Sequence, residues 1–256
     1  MKVAILAGGY GSRLAEETEI RPKPLVEIGE HPMLWHIMMI YAHFGFNDFV
    51  IALGYKGEMI KKYFVERAAY GSNLTVDFRS GRVESIENNL PKWRVTLVDT
   101  GQNTLTGGRI KQLQPYIGDE TFMLTWGDGV ADIDIAALVD FHRGHGKLAT
   151  VTAVHPPARY GSLDLEHNRV VAFAEKPQLQ KSWINGAFFV LEPEIFDYIK
   201  GDSTQWEKEP LERLANEGQL MAYKHNSFWQ CMDTLREKYI LENLWDSGEA
   251  PWKLWD

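Results

Sequence analysis

Through its first half the chain alternates strand-like and helical runs, and this alternation limits the possible folds more than any other feature. Val3 to Ala7, Phe49 to Leu53, Leu74 to Phe78, Val95 to Asp99 and Phe122 to Thr125 read as strands. Met33 to Phe44, Glu58 to Ala69, Thr106 to Tyr116 and Ile133 to His145 place apolar residues at helical spacing between them. Strands separated by helices pair in parallel and are covered on both faces, so an α/β fold with a mostly parallel central sheet is expected. The second half is richer in strands: Ala149 to Val154, Val170 to Glu175, Ile184 to Val190 and Leu220 to Tyr223. Short helices are expected around Pro193 to Ile199 and Glu209 to Glu217, with a last helix from near Thr234 to about Asp246. Arg79 to Trp93, broken by Gly81, Asn88-Asn89 and Pro91, reads as a hairpin or extended loop.

In such a sheet, ligands bind at the carboxyl ends of the strands. The Gly8 loop, Asp99 and Asp128 all fall there and are expected to meet in one crevice. The first strand runs into Leu6-Ala7-Gly8-Gly9-Tyr10-Gly11-Ser12-Arg13-Leu14, and a second cation follows on Arg21-Pro22-Lys23-Pro24-Leu25. Glycines let backbone N–H groups approach phosphate oxygens closely, and Arg13 and Lys23 add charge that amides lack. The pattern reads as a polyphosphate cradle. It is not a Walker A loop, because Gly11-Ser12-Arg13 lacks the Gly-Lys-Ser/Thr ending. It is not a dinucleotide fingerprint either, since Leu14 stands where a small residue is needed and no acidic residue closes Phe49 to Gly54. An ordinary glycine turn is the competing reading, and the two cations weigh against it.

At 256 residues the chain fits one large α/β domain, with neither a repeat period nor a linker to divide it. A net charge of -8 argues against nucleic-acid binding, so a polyphosphate has to be met by local cations and a metal. No leader pattern precedes the first strand and no apolar run reaches about eighteen residues, so a cytoplasmic protein without membrane contact is expected. The single cysteine, Cys231, agrees with a reducing compartment.

The opening loop with Pro22-Lys23-Pro24 resembles the sugar-1-phosphate nucleotidyltransferases. Further matching motifs run the length of the chain: Gly57, Leu97 to Gly101, Thr106 to Arg109, Gly127 to Asp132, Glu175-Lys176-Pro177, Asn185-Gly186, Met232 to Arg236 and Ala250 to Lys253. Ser12 replaces the family's usual Thr and keeps the hydroxyl. The Gln102 to Arg109 stretch resembles the cytidylyl type rather than relatives using thymidine or uridine triphosphate.

The resemblance implies one nucleotidyltransferase domain over 1–256. Residues 1–132 form a Rossmann-like, nucleotide-binding half, 133–232 a strand-rich sugar-phosphate half, and 233–256 a C-terminal helix and tail. It implies CTP and α-D-glucose 1-phosphate as reactants and Mg²⁺ as cofactor, with a homo-oligomer expected. Leu6, Ala7, Gly8, Gly9, Tyr10, Gly11, Ser12 and Arg13 would meet the nucleotide. Lys23 would meet its phosphates, and Thr104 and Arg109 its base or ribose. Asp128 and Asp233 would hold the metal, with Arg13, Lys23 and Asp128 as the catalytic set. Tyr160, Gly161, Glu175, Lys176, Asn185 and Gly186 would form the hexose pocket, with Lys176 pairing the 1-phosphate.

Each assignment has a plainer competitor: Asp128 as a turn residue, Asp233 as the N-cap of the last helix, Arg109 as a solvated helix residue and Glu175-Lys176-Pro177 as a charged strand end. Transfer to another pyrimidine triphosphate, a non-catalytic sugar-nucleotide-binding subunit and a glycosyltransferase are the alternative functions. Asp132-Ile133-Asp134 has the form of a glycosyltransferase metal motif but is read as capping and first-turn charge for the following helix. His142 and His145 are read as structural, and Cys231 as a small packed hydrophobe. Trp245, Trp252 and Trp255 are expected at a subunit contact.

Overall fold

The computed structural model describes residues 1–85, 90–156, 162–174 and 182–255. Its centre is a seven-stranded sheet in the order Leu220–Lys224, Ala149–Val154, Ile184–Leu191, Phe122–Trp126, Val3–Ala7, Asp48–Leu53, Arg94–Asp99. Ile184–Leu191 runs against both neighbours, and every other pairing is parallel. The expected α/β class and mostly parallel sheet are therefore what the chain adopts, with strands from both halves in one sheet.

Val3–Ala7 is buried along its whole length, as a central strand covered on both faces must be. Its side chains alternate between two cores. Val3, Ile5 and Ala7 face one, with Leu34, Ile37 and Tyr41 of the helix Met33–His43; Ala4 and Leu6 face the other, with Ile110, Leu113 and Ile117 of the helix Thr106–Ile117. Asp48–Leu53 divides the same way, with Phe49, Ile51 and Leu53 on the first side and Val50 and Ala52 on the second. Each such isoleucine or leucine adds about 1.5–3 kcal/mol by leaving water, which fixes the register of the strands that carry the loops above them.

Two expectations are corrected. The Leu74 to Phe78 run is a strand, Leu74–Asp77, but it pairs with Arg82–Ser85 as a separate hairpin and takes no place in the central sheet. Ser162–Glu166 and Arg169–Ala174 likewise form their own hairpin. Of the tryptophans near the C-terminus, Trp252 is withdrawn from any subunit contact by burial in the chain's own core, while Trp245 and Trp255 are half-buried and pack on that core around His36. The last helix, Leu235–Asp246, begins with a capping box in which the Thr234 side chain accepts from Glu237 N and the Glu237 carboxylate accepts from Thr234 N.

Candidate functional site

At the carboxyl ends of Val3–Ala7 and Phe122–Trp126 the chain opens a cleft of about 400 Å³. Leu6, Ala7, Gly8, Gly9, Tyr10, Gly11, Ser12, Arg13, Lys23, Thr104, Arg109 and Asp128 all line it. Of the three strand-end features expected to converge, the Gly8 loop and Asp128 do so. Asp99 does not: its carboxylate turns back to accept from Gly101 N at 3.0 Å and closes a local turn.

The glycine loop is shaped by what it packs on. Gly11 sits at φ 65, a left-handed conformation open to glycine, and a Cβ there would come within 2.7 Å of Thr18 Cγ2. The chain then tightens into the 3₁₀ turn Ser12–Leu14, which presents Arg13. Tyr10 leaves the loop and spans the mouth of the cleft, its hydroxyl donating to Asn103 Oδ1 at 2.9 Å. Lys23 opens a second 3₁₀ turn, Lys23–Leu25, set by proline on both sides.

Asp128 and Asp233, far apart in sequence, meet through a two-stranded ribbon. Gly129–Ala131 pairs antiparallel with Trp229–Cys231, Cys231 opposite Gly129, and Met232 N donates to Asp128 O at 2.8 Å. The ribbon brings both carboxylates to the Lys23 ammonium, 2.7 Å from Asp128 Oδ2 and 2.7 Å from Asp233 Oδ1. Arg13 Nη1 takes the other Asp233 oxygen at 2.8 Å. Burial works against the Lys23 charge, but the Asp128 and Asp233 carboxylates outweigh it and hold the ammonium above the ordinary lysine range. Burial likewise opposes the Asp233 charge, and Lys23 and Arg13 more than offset it, keeping that carboxyl below its usual value.

The arrangement suits a small hard cation, because it aims two carboxylates at a single positive charge and offers oxygen donors alone. The adjoining set of Cys231, Asp233 and Glu237 has ligand atoms within 4.8 Å of one another but does not suit one. Burial and the surrounding carboxylates push the Cys231 thiol up to about 12, and Glu237 Oε2 is committed to the Asp233 and Thr234 N–H groups. Asp233 is not the helix N-cap, since Thr234 fills that place and leaves the Asp233 carboxylate to face the cations.

Arg109 is neither solvated nor simply aimed outward. Its buried guanidinium is directed at Leu53 O, Thr100 Oγ1, Gly101 O, Gly8 O and Gln102 O, at 2.7–3.2 Å. It pins the glycine loop to the segment that carries Thr104. Several lining residues carried no sequence signal, Trp126 and Gln205 among them. Gln205 reaches the cleft because Thr204 O accepts from Gly107 N at 2.9 Å, and a Cβ on Gly107 would stand 2.8 Å from that same oxygen.

On the sugar side, Tyr160, Gly161, Glu175 and Lys176 lie outside the described residues. Asn185 and Gly186 begin the strand Ile184–Leu191 and do not line the cleft. Asn185 pairs with Ala153, Gly186 falls in the register shift that follows it, and Gly186 O accepts from Trp229 Nε1 at 2.8 Å, which ties this stretch to the ribbon. The Asp-x-Asp pair is structural. Asp134 caps the helix Ile135–His145 by accepting from Ala137 N, and Asp132 faces His225 Nε2 at 3.0 Å. His142 and His145 both turn to Thr150 Oγ1 in a hydrogen-bonded network.

The sequence profile of the nucleotidyl transferase family matches residues 2–236. A glucose-1-phosphate cytidylyltransferase of Salmonella typhi is 52% identical over 100% of both chains. A mannose-1-phosphate guanyltransferase of Saccharomyces cerevisiae is 32% identical over 94% of this chain and 63% of its own. Among solved structures, a UDP-glucose pyrophosphorylase complexed with UDP-glucose superposes with a TM-score of 0.69 at 18% identity, covering 96% of this chain and 98% of the other, a likeness of fold.

Proposed function

The chain belongs to the nucleotidyl transferase family, and on that footing we propose that it transfers the cytidylyl group of CTP to α-D-glucose 1-phosphate, releasing pyrophosphate and forming CDP-glucose. The observation that carries the reading is the meeting of Arg13, Lys23, Asp128 and Asp233 at one end of a glycine-lined cleft, although Lys23 and Asp233 alone stand 210 residues apart in sequence. The choice of base follows the relatives, since identity is 52% over the full length of a cytidylyltransferase and 32% over 63% of a guanyltransferase.

A phosphate monoester has a second pKa of about 6, so the attacking oxygen is already anionic at neutral pH and needs no general base. The site offers none: Cys231 holds its proton, and among the described residues no histidine lines the cleft. The chemistry lies in bringing two anions together. Lys23 and Arg13 neutralise phosphate charge, the N–H groups of the Gly8 to Arg13 loop receive phosphate oxygens, and the base lies toward Thr104 and Arg109. Asp128 and Asp233 would hold Mg²⁺, which supplies charge neutralisation at the reacting phosphates when bound. Tyr160, Gly161, Glu175, Lys176, Asn185 and Gly186 make up the hexose side of this reading.

The same reading places the enzyme in the cytoplasm, as a homo-oligomer serving bacterial surface-polysaccharide synthesis. Supporting this, among the described residues no helix is long and apolar enough to cross a membrane. Val76 and Val83, paired across the outlying hairpin, and the neighbouring Phe78 are exposed apolar surface of the kind that subunits cover. The deciding experiment is pyrophosphate release from CTP, UTP, dTTP and GTP in turn, with glucose 1-phosphate and Mg²⁺. CTP is expected to dominate, and equal or faster turnover with UTP or dTTP would defeat the cytidylyl assignment.

A further inference from the structure

Both oxygens of Asp233 are engaged by cations, Oδ1 by Lys23 at 2.7 Å and Oδ2 by Arg13 at 2.8 Å. The Lys23 ammonium also takes Asp128 Oδ2 at 2.7 Å, so it stands between the two carboxylates that a divalent ion would share. Its side chain is 10% exposed and that of Asp233 13%, so water does little to screen the charges. An ion arriving here meets an ammonium and a guanidinium already satisfying its ligands, and is repelled by both. Lysine is suited to yield the place, because its charge sits on a flexible four-carbon stem while Pro22 and Pro24 fix the backbone at its root.

We infer that Lys23 and Arg13 are place-holders that keep the divalent ion out until a triphosphate draws them off the carboxylates. This rests on the proposed roles of Asp128 and Asp233. The polyphosphate offers both cations better anionic partners, and the carboxylates they release become free to take the ion. Ion and triphosphate then bind with positive coupling that is reciprocal by thermodynamic necessity, and the protein by itself holds the ion weakly. Charge near the reaction centre stays balanced throughout, since cations leave the carboxylates only as phosphate arrives.

The test uses Mn²⁺ as the probe, with binding to the full chain followed by electron paramagnetic resonance and calorimetry. Wild type is expected to bind Mn²⁺ weakly alone and at least about tenfold more tightly with a non-hydrolysable CTP analogue. Lys23→Met is expected to bind Mn²⁺ alone at least about tenfold more tightly than wild type, although its turnover falls. Mg²⁺ is expected to raise the melting temperature of that variant and leave wild type unchanged, because the ion replaces the missing charge between the carboxylates. Arg13→Gln, at a side chain 73% exposed, is expected to fold normally and show a smaller gain. Equal Mn²⁺ affinity in wild type, Lys23→Met and Arg13→Gln would overturn the place-holder role, as would tight Mn²⁺ binding by wild type alone. Asp128→Asn with unchanged Mn²⁺ affinity in the nucleotide complex would overturn the ligand assignment as well, whereas loss of binding there beside no gain in Lys23→Met would sink the competition alone.

Discussion

Gly8 and Gly9 are neighbours in one loop, yet alanine at the two positions should act in opposite ways. A Cβ on Gly8 would lie 2.2 Å from Arg109 Nη1 and 2.4 Å from its Cζ, while one on Gly9 meets nothing within 4 Å. The guanidinium cannot simply withdraw, because it holds Leu53 O, Gly101 O, Gly8 O and Gln102 O as well as Thr100 Oγ1. Hydrogen bonds from a charged donor are worth about 1.5–3 kcal/mol each, and overpacking costs about 1–3 kcal/mol. With partial relaxation, Gly8→Ala is expected to lose about 3–5 kcal/mol, a large share of a typical folding free energy of about 5–15 kcal/mol. The melting temperature should fall by about 10 °C. Gly9→Ala, whose backbone is not left-handed, should match wild type or gain up to about 1 kcal/mol. It adds a methyl to a residue lining the cleft, so its loss should appear in CTP affinity instead. Urea unfolding measures the first quantity and calorimetric titration with CTP the second. If Gly8→Ala were within about 1 kcal/mol of wild type, or Gly9→Ala were destabilised equally, the guanidinium would not be what dictates glycine at position 8.

That collision explains a split in what the sequence can reveal. The strand-and-helix alternation was readable because buried runs such as Val3–Ala7 carry their burial in their composition. The partner of a strand is not written there: Leu74–Asp77 has the residues of a strand but finds its mate in the next turn of chain. The glycine loop, Lys23 and Asp128 were readable because close phosphate approach needs glycine, and charge at a strand end needs a reason. Asp233 was placed by resemblance alone, since only the pairing of Trp229–Cys231 with Gly129–Ala131 carries it to Lys23. The inward grip of Arg109 was hidden for a related reason. Its acceptors are mainly main-chain carbonyls, which every residue has and no motif marks. Gln205 enters the cleft because Thr204 packs on Gly107 and Gly108, so those two glycines record a neighbour more than 90 residues away.

Two further outcomes are expected. Thr234→Ala removes the side-chain acceptor of the capping box and should cost about 1 kcal/mol in urea unfolding, and it should also weaken Mn²⁺ binding in the nucleotide complex, because the cap fixes Asp233 next to it. An unchanged Mn²⁺ affinity would show that Asp233 is positioned by the ribbon alone. The second concerns His36, buried among Trp35, Trp245 and Trp252, with Nε2 2.9 Å from Ile28 O and Nδ1 accepting from Trp252 Nε1 at 3.4 Å. Burial lowers its pKa to about 4, so the neutral ring is the native form and the unfolded chain takes up a proton first as pH falls. Its contribution is complete above about pH 6.5 and is lost progressively down to about pH 4, amounting to about 3 kcal/mol. The steepening of acid unfolding over that window should be smaller in His36→Phe, measured as urea midpoints at successive pH values. An identical pH slope in the variant would mean that a group other than His36 takes up the proton.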